Sequence, residues 1–294
     1  MTLQVVHRTD YEYDSVVSSS YGQIYMLPRS SPGQQVLDSR VTIEPRPDSY
    51  SEFTDYFGNR VANFSVATDH RELTIITTTD VDVSGRIAPR SDQLTSPSWE
   101  EAASILAQSS GYEDIEAREF SFPSLLVPLS ETVREYAATS FTSGRNLLDL
   151  VTDLTQRVHA DVRYKAGVTS LTTMPDDVLR QRSGVCQDYA HLQIACLRSF
   201  GLAARYVSGY LETVAPPGKS KLRGADASHA WLSVYVPGYG WIDVDPTNNC
   251  FVADRHVCTA WGRDYHDVSP IKGVIFTDAK SNTMTVSVDV SHLS

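Results

Sequence analysis

The feature that most restricts the fold is a change of hydrophobic period part-way along the chain. Over residues 1–85, apolar and β-branched residues alternate with polar ones in LQVVHRTDYEYD, VLDSRVTIEP, RVANFSVATD and ELTIITTTDVDVS. A period of two sends successive side chains to opposite faces and marks half-buried strands. The breaks between these runs, PRSSPGQQ, PRPDS and DYFGNR, are rich in turn formers. Phe57-Gly58-Asn59 reads as a hairpin turn in which Gly58 takes a positive φ. Few helical patterns interrupt this half, so a β-sandwich-like module is expected.

From about residue 130 the period becomes helical. Ser130 or Glu131 starts TVREYAATSF, and Ser143 precedes GRNLLDLVTDLTQRVHADV, whose Leu147, Leu148, Val151, Leu154 and Val158 share one face. MPDDVLRQRSG, ended by Gly184, and CQDYAHLQIACLRSFG, ended by Gly201, read as shorter helices. LAARYVSGYLETV, SHAWLSVYVPGYG, WIDVDPTN, IKGVIFTD and TMTVSVDVSH read as strands. The polar PPGKSKLRGADA between two of them is a loop, with Asp226 placed to gate access to the residues that follow. Residues 86–130 hold a short helix, SPSWEEAASILAQ, capped by Ser96 and opened by Pro97, then the proline-broken FSFPSLLVPLSE. The expected organisation is α+β. A β domain spans 1–85, a segment that packs against both modules spans 86–130, and helices followed by an antiparallel sheet span 131–294, C-terminal strands included.

Charge and cysteine usage narrow the function classes. Lys and Arg number 25 against 36 Asp and Glu, a net charge of −11. That argues against nucleic acid and anionic membranes as partners, because both need clustered cations. No apolar run approaches membrane-spanning length, and the N-terminus lacks the pattern of a secretory signal, so a cytoplasmic location is expected. The four cysteines, Cys186, Cys196, Cys250 and Cys258, include no C-x-x-C pair. Cys250-x5-His256-x-Cys258 matches no common zinc spacing, and neither a metal nor a cofactor is expected.

Cys186 stands out among the four. It follows Gly184-Val185 and opens an apolar helical pattern. The first N–H groups of a helix are unpaired and its dipole is positive there, and both favour a thiolate. Gly184 is read as letting the backbone approach a substrate closely. Cys196, among Ile194, Ala195 and Leu197, reads as core packing. A nucleophilic cysteine needs a base, and the base needs an orienting group. His191 lies five residues on, about 140° round the helix, and points elsewhere. His229 opens a strand after a glycine-bearing loop. If its strand pairs with WIDVDPTN through the VPGYG turn, Asp245 comes beside His229. Asp243, two residues back, competes for that role. Asp245 is preferred because Pro246 fixes the backbone there.

RSGVCQDYAHL, GLAARYVSGYL, ASHAWLSVYVPGYGWIDVDPTN and HVCTAWGRDYHDVSPIKGV, in this order, resemble the bacterial transglutaminase-like proteins over about residues 120–276. YEYD, QQVL and DYFGNRVANF resemble the N-terminal β domain that precedes the core in that group. The resemblance implies a papain-like transglutaminase core with helices packed on an antiparallel sheet. It also implies Cys-His-Asp chemistry: Cys186 in the G-x-C context as nucleophile, His229 in H-A-W as base and Asp245 in D-P-T as orienter. Such a site acts on a peptide or protein substrate through a thioester. Tyr164, in VRYKAG, is a weak candidate for a second oxyanion donor. Asp188 and Trp231 are candidate substrate contacts, set against capping and packing roles. Arg205 and Tyr206 read as a buried structural pair. A cysteine peptidase or amidase is the first functional reading, because no acidic calcium loop of the kind that cross-linking relatives use is evident. Protein-glutamine gamma-glutamyltransferase activity is the second, and a non-catalytic binding protein on the same scaffold the third.

Overall fold

The structure, a computed structural model, describes residues 1–88, 96–213 and 228–293. PPGKSKLRGADA, with Asp226, lies outside the described residues. The first sheet is built on one long strand, β1 (Thr2–Ile24), joined by β2 (Gln35–Glu44), β3 (Ser49–Thr54), β4 (Arg60–Val66) and β5 (His70–Asp82) in the order β2-β5-β1-β4-β3. Residues Thr2–Glu12 of β1 pair with β5, and Ser20–Ile24 pair with β4. The register shifts between Glu12 and Val17, where the strand changes partner. The sheet curls over Tyr13, Val17, Ile24, Leu27, Phe64 and Ile75, which makes its own core. The sandwich-like expectation is therefore met by one curled antiparallel sheet. Gly58 takes φ +77° in the turn between β3 and β4.

The second half opens with α1 (Trp99–Gln108), α2 (Tyr112–Arg118), a 3-10 turn (Glu119–Ser121), α3 (Glu131–Ala138) and α4 (Leu147–Asp161). It continues through β6 (Arg163–Tyr164), α5 (Pro175–Gln181), β7 (Ser183–Gly184), α6 (Cys186–Arg198), β8 (Ala204–Leu211), β9 (Ser228–Val236), β10 (Gly240–Asp245), β11 (Cys250–Phe251) and β12 (His256–Gly262). Strands β8–β12 form a second antiparallel sheet in the order β11-β10-β9-β8-β12. Gln187 to Arg198 of α6 are all buried, as expected of a helix enclosed on every side. Its Leu192, Ile194 and Ala195 share one core with Leu147, Val151, Leu154 and Val158 of α4 and with Ala230, Leu232 and Val234 of β9.

Three local boundaries depart from expectation, each because a competing group makes the cap. Ser98, not Ser96, caps α1: its Oγ accepts from Glu101 N at 3.3 Å and Glu101 Oε2 accepts from Ser98 N at 2.9 Å. Ser96 instead donates to Asn146 Oδ1 at 2.5 Å, and Asn146, rather than a residue near Ser143, caps α4. Helix α5 stops at Gln181 because Arg182 turns left-handed, φ +51°, before Gly184 is reached.

The C-terminal strands do not extend the second sheet. Strands β13 (Ile271–Thr277) and β14 (Asn282–His292) both pair antiparallel with β1, from Val17↔Thr277 to Ile24↔Ile271 and from Leu3↔His292 to Tyr13↔Asn282. β1 carries β5 and β4 on one edge, and β13 and β14 satisfy the other. Val288 and Val290 then pack with Leu3, Val5, Val81, Tyr210 and Val257, joining the two sheets.

Two side-chain amides of the first half also mimic a neighbouring strand along β12. Gln34 gives Nε2 to Cys258 O and takes Cys258 N–H on Oε1, both at 2.8 Å. Asn59 does the same for Trp261, at 2.8 and 2.9 Å. The open edge of β12 is thus closed without a strand. Phe120, after α2, meets Phe57 of the first half and Trp241 of the second, at centroid distances of 5.8 and 5.3 Å.

Candidate active site

Cys186 is the first residue of α6, half-buried at the edge of the core. Two contacts fix that helix start. Asp188 Oδ2 accepts from Val185 N at 2.7 Å and from Thr169 Oγ1 at 2.8 Å. The short parallel pair β6–β7 then ties residues 163–165 to the segment before the cysteine, with Lys165 N donating to Gly184 O at 2.9 Å. Gly184 serves this packing: a Cβ there would stand 2.6 Å from Asp188 Oδ2 and 2.7 Å from Asp188 Cβ. The expectation that it clears a path for substrate is replaced by a local reason, the carboxylate that holds the helix start. Asp188 is 1 % exposed, so it caps α6 and does not reach a substrate.

His229 and Asp245 come together through the β9–β10 hairpin. Its register pairs Gly240 with Val236 and Val244 with Leu232. Continuing one step sets Asp245 opposite Trp231 and diagonal to His229. His229 Nε2 donates to Asp245 Oδ2 at 2.7 Å. Cys186 is near enough to act on the same histidine as Asp245 does, so the fold brings the three expected residues together. Burial acts to lower the His229 pKa most, but the bonds and charges of Asp245 and Cys186 outweigh it and push it up to about 10. Asp245 is fully buried. Burial alone would raise its pKa, yet its bonds to His229, His256 and Asn248 hold the carboxyl well below the usual carboxylate range. Oδ1 accepts from Thr247 N at 2.9 Å and Asn248 N at 3.1 Å, and Oδ2 from Asn248 Nδ2 at 2.7 Å. Asp243, the competitor, is committed elsewhere: it accepts from Ser233 Oγ and pairs with Arg86 at 3.3 Å.

Against this geometry the relatives can be read. The profile of the bacterial transglutaminase-like N-terminal region matches residues 3–82, and that of the transglutaminase-like superfamily matches residues 134–246. An uncharacterized protein of Mycobacterium tuberculosis is 42% identical over 294 residues, covering 98% of this chain and 91% of that one. The chain belongs to the transglutaminase-like superfamily. An uncharacterized Mycobacterium leprae protein is 30% identical over 295 residues and 99% of both chains. A protein-glutamine gamma-glutamyltransferase of Pseudomonas aeruginosa is 36% identical over 102 residues, 33% of this chain and 15% of that protein. The crystal structure of a candidate cysteine protease from Cytophaga hutchinsonii shares the fold, with a TM-score of 0.75 at 21% identity over 100% of this chain and 92% of that one. Transglutaminase-like proteins act on protein or peptide substrates.

One residue of this transglutaminase-like site is missed by sequence reasoning. His256, on β12, donates Nε2–H to the same Asp245 Oδ2 at 3.2 Å. Its ring is buried, and its Nδ1 has no partner among the described residues. Burial, partly offset by Asp245, lowers its pKa below the ordinary histidine value. The one signal for it in the sequence is a histidine entering a strand, which is common in cores. His229, Asp245 and His256 bring three ligand atoms within 4.8 Å of one another, a set that could hold a metal ion. Hydrogen bonding accounts for the cluster fully, since one carboxylate oxygen accepts from both imidazoles.

The remaining expected contacts separate cleanly. Trp231 is 0% exposed, and its ring packs edge-on to His256 with centroids 5.3 Å apart and tilted to His229 at 6.1 Å. It supports the two histidines from behind and is out of reach of substrate, which corrects its candidacy as a contact. Tyr164, on β6, is 57% exposed and within electrostatic range of Cys186. Cys196 is buried in the core, and burial pushes its thiol pKa far up. His191 is also buried and accepts from Tyr265 N at 3.1 Å, away from Cys186.

Proposed function

We propose that the chain is a cysteine-dependent peptidase or amidase that works through a thioester. The observation that carries this reading is the grouping of Cys186, His229 and Asp245, with His229 held at 2.7 Å by a buried carboxylate and within electrostatic reach of the thiol. In this reading the resting pair is a Cys186 thiolate and a His229 imidazolium. The sulfur attacks the carbonyl carbon of an amide and the carbonyl electrons move to oxygen. As Cys186 is the first residue of α6, its N–H has no intrahelical acceptor and faces the developing oxyanion. Tyr164, exposed beside the cysteine, lines the approach. Collapse breaks the C–N bond, and the amine leaves with the proton of His229. A water molecule, deprotonated by His229, then adds to the thioester, and breaking the C–S bond gives a carboxylic acid and the resting Cys186 thiolate and His229 imidazolium.

A second reading is favoured by one observation, the 36% identity to the Pseudomonas aeruginosa protein-glutamine gamma-glutamyltransferase. There an amine, not water, would resolve the thioester, and a new amide would form.

Mass spectrometry of Gln- and Lys-containing peptides incubated with the chain, with and without a small primary amine, separates the two. Cleaved or deamidated products without adducts are expected. Amine adducts or peptide cross-links would replace hydrolysis by transamidation. Product that persists in the Cys186→Ala chain would overturn both.

A further inference from the structure

On the side of the second sheet that carries Asp243 and Arg205 lies a cavity of about 910 Å³. The first half contributes Arg29 and Arg86, the α2 region contributes Glu116 and Phe120, and the sheet contributes Arg205 and Trp241. None of Cys186, His229 and Asp245 lines it. Its floor is a ladder of alternating guanidinium and indole groups. Arg29 lies 3.4 Å from the centroid of Trp261, and Arg205 lies 3.7 Å from that of Trp261 and 4.2 Å from that of Trp241.

The two guanidinium groups differ in one respect. Arg29 donates to Phe57 O at 2.9 Å and Asn59 Oδ1 at 2.8 Å. The Nε of each is unpartnered, but Arg205, only 9% exposed, also has no hydrogen-bonded acceptor or ion-paired carboxylate among the described residues. Asp243 attracts Arg205 through space, but its oxygens are already bound to Arg86 and Ser233. A buried cation without a hydrogen-bonded partner is costly, and stacking on indole rings holds its plane while leaving its N–H edge unfilled. The reading of Arg205 as a closed structural pair with Tyr206 does not supply that partner.

We propose that this cavity is a binding site for an organic carboxylate, with Arg205 as its anchor and the indole of Trp241 beside the ligand's apolar body. A fork of parallel N–H groups suits a planar carboxylate. The wall opposes more than one negative charge, because Glu113, Glu116, Glu119 and Asp243 also line the cavity. A monoanion is therefore favoured over a phosphate dianion. The site is distinct from the proposed catalytic grouping and independent of whether that grouping hydrolyses or transfers.

Calorimetric titration of the full chain with phenylacetate and with phenylethanol tests this, since the two probes share a ring and differ in charge. Phenylacetate is expected to bind at least about tenfold more tightly, the worth of one charge-assisted contact. Alkylating Cys186 should leave both affinities unchanged. Arg205→Met should erase the difference between the probes while the chain stays folded, as a buried cation is commonly replaced by an apolar residue without loss. Equal affinities, or no binding of phenylacetate to the unaltered chain at roughly millimolar levels and above, would overturn the proposal. So would inorganic phosphate displacing phenylacetate at a lower concentration than acetate does.

Discussion

Asp245 and His256 are joined across two strands of the second sheet, with His256 Nε2 donating to Asp245 Oδ2 at 3.2 Å on the oxygen that also receives His229. The carboxylate that orients the candidate base is itself oriented from the far edge of the sheet. Replacing His256 by Ala leaves a buried acceptor with one donor fewer. We expect kcat to fall about tenfold with KM little changed. His256→Gln, which keeps an N–H donor, should recover part of the loss. An unchanged kcat in a folded Ala variant would make the second imidazole dispensable.

Asp245→Asn and Asp243→Asn should behave oppositely. Asn at 245 loses the negative charge that fixes the tautomer and stabilises the imidazolium, and activity should fall about a thousandfold or more. Asn at 243 weakens the pairing with Arg86, 3.3 Å away, and should leave turnover within a few-fold. Steady-state rates on one peptide substrate decide it. The reverse order would assign the orienting role to Asp243.

The pH dependence follows from the two shifts. His229 has a folded-state pKa raised from 6.5 to about 10, so the stability from its protonated form is fully present below about 6.5 and is lost as pH rises through 10. Asp245 is shifted down, so its contribution is present above the ordinary carboxylate pKa and is lost as pH falls further. Both therefore act together across neutral pH. Nitrogen-15 NMR of labelled histidine should show His229 still protonated above pH 7, with its titration moving down in Cys186→Ala because one of the raising partners is gone. A His229 resonance titrating near the ordinary histidine value in the unaltered chain would mean that the ion pair does not form.

Gly184→Ala tests how the helix start is held. The added methyl would stand 2.6 Å from Asp188 Oδ2, and that oxygen cannot move away without leaving Val185 N and Thr169 Oγ1. A loss of a few degrees in Tm is expected, with kcat lowered as Cys186 shifts. In the Asp188→Gly background, which removes the Cβ at 2.7 Å as well as the carboxylate, the same change should cost much less. Additive effects would show that the contact is relieved without involving Asp188.

What the sequence made legible depended on how local the governing interaction is. A helical period beginning at Cys186 places that residue at a helix start whatever surrounds it. A short turn between two alternating runs is enough to bring Asp245 to His229, because hairpin register follows loop length. His256 escaped because its tie to Asp245 depends on β12 pairing with β8, and nothing near residue 256 specifies that partner. The same holds for TMTVSVDVSH: alternation says that it is a strand and which residues face inward, but not which sheet receives it. Trp231 shares a strand face with His229, yet His256 arrives over it from another strand and seals it from solvent.

The placement of β13 and β14 on β1 also orders the birth of the molecule. About 260 residues separate β1 from the strands that complete its second edge, and Leu293 N closes on Thr2 O at 3.0 Å. While a ribosome is still making the second half, the first sheet has one open flank and cannot finish. The whole candidate active site is synthesised inside a loop whose two ends are fastened last, so an intact far end of the chain is a condition for a settled beginning.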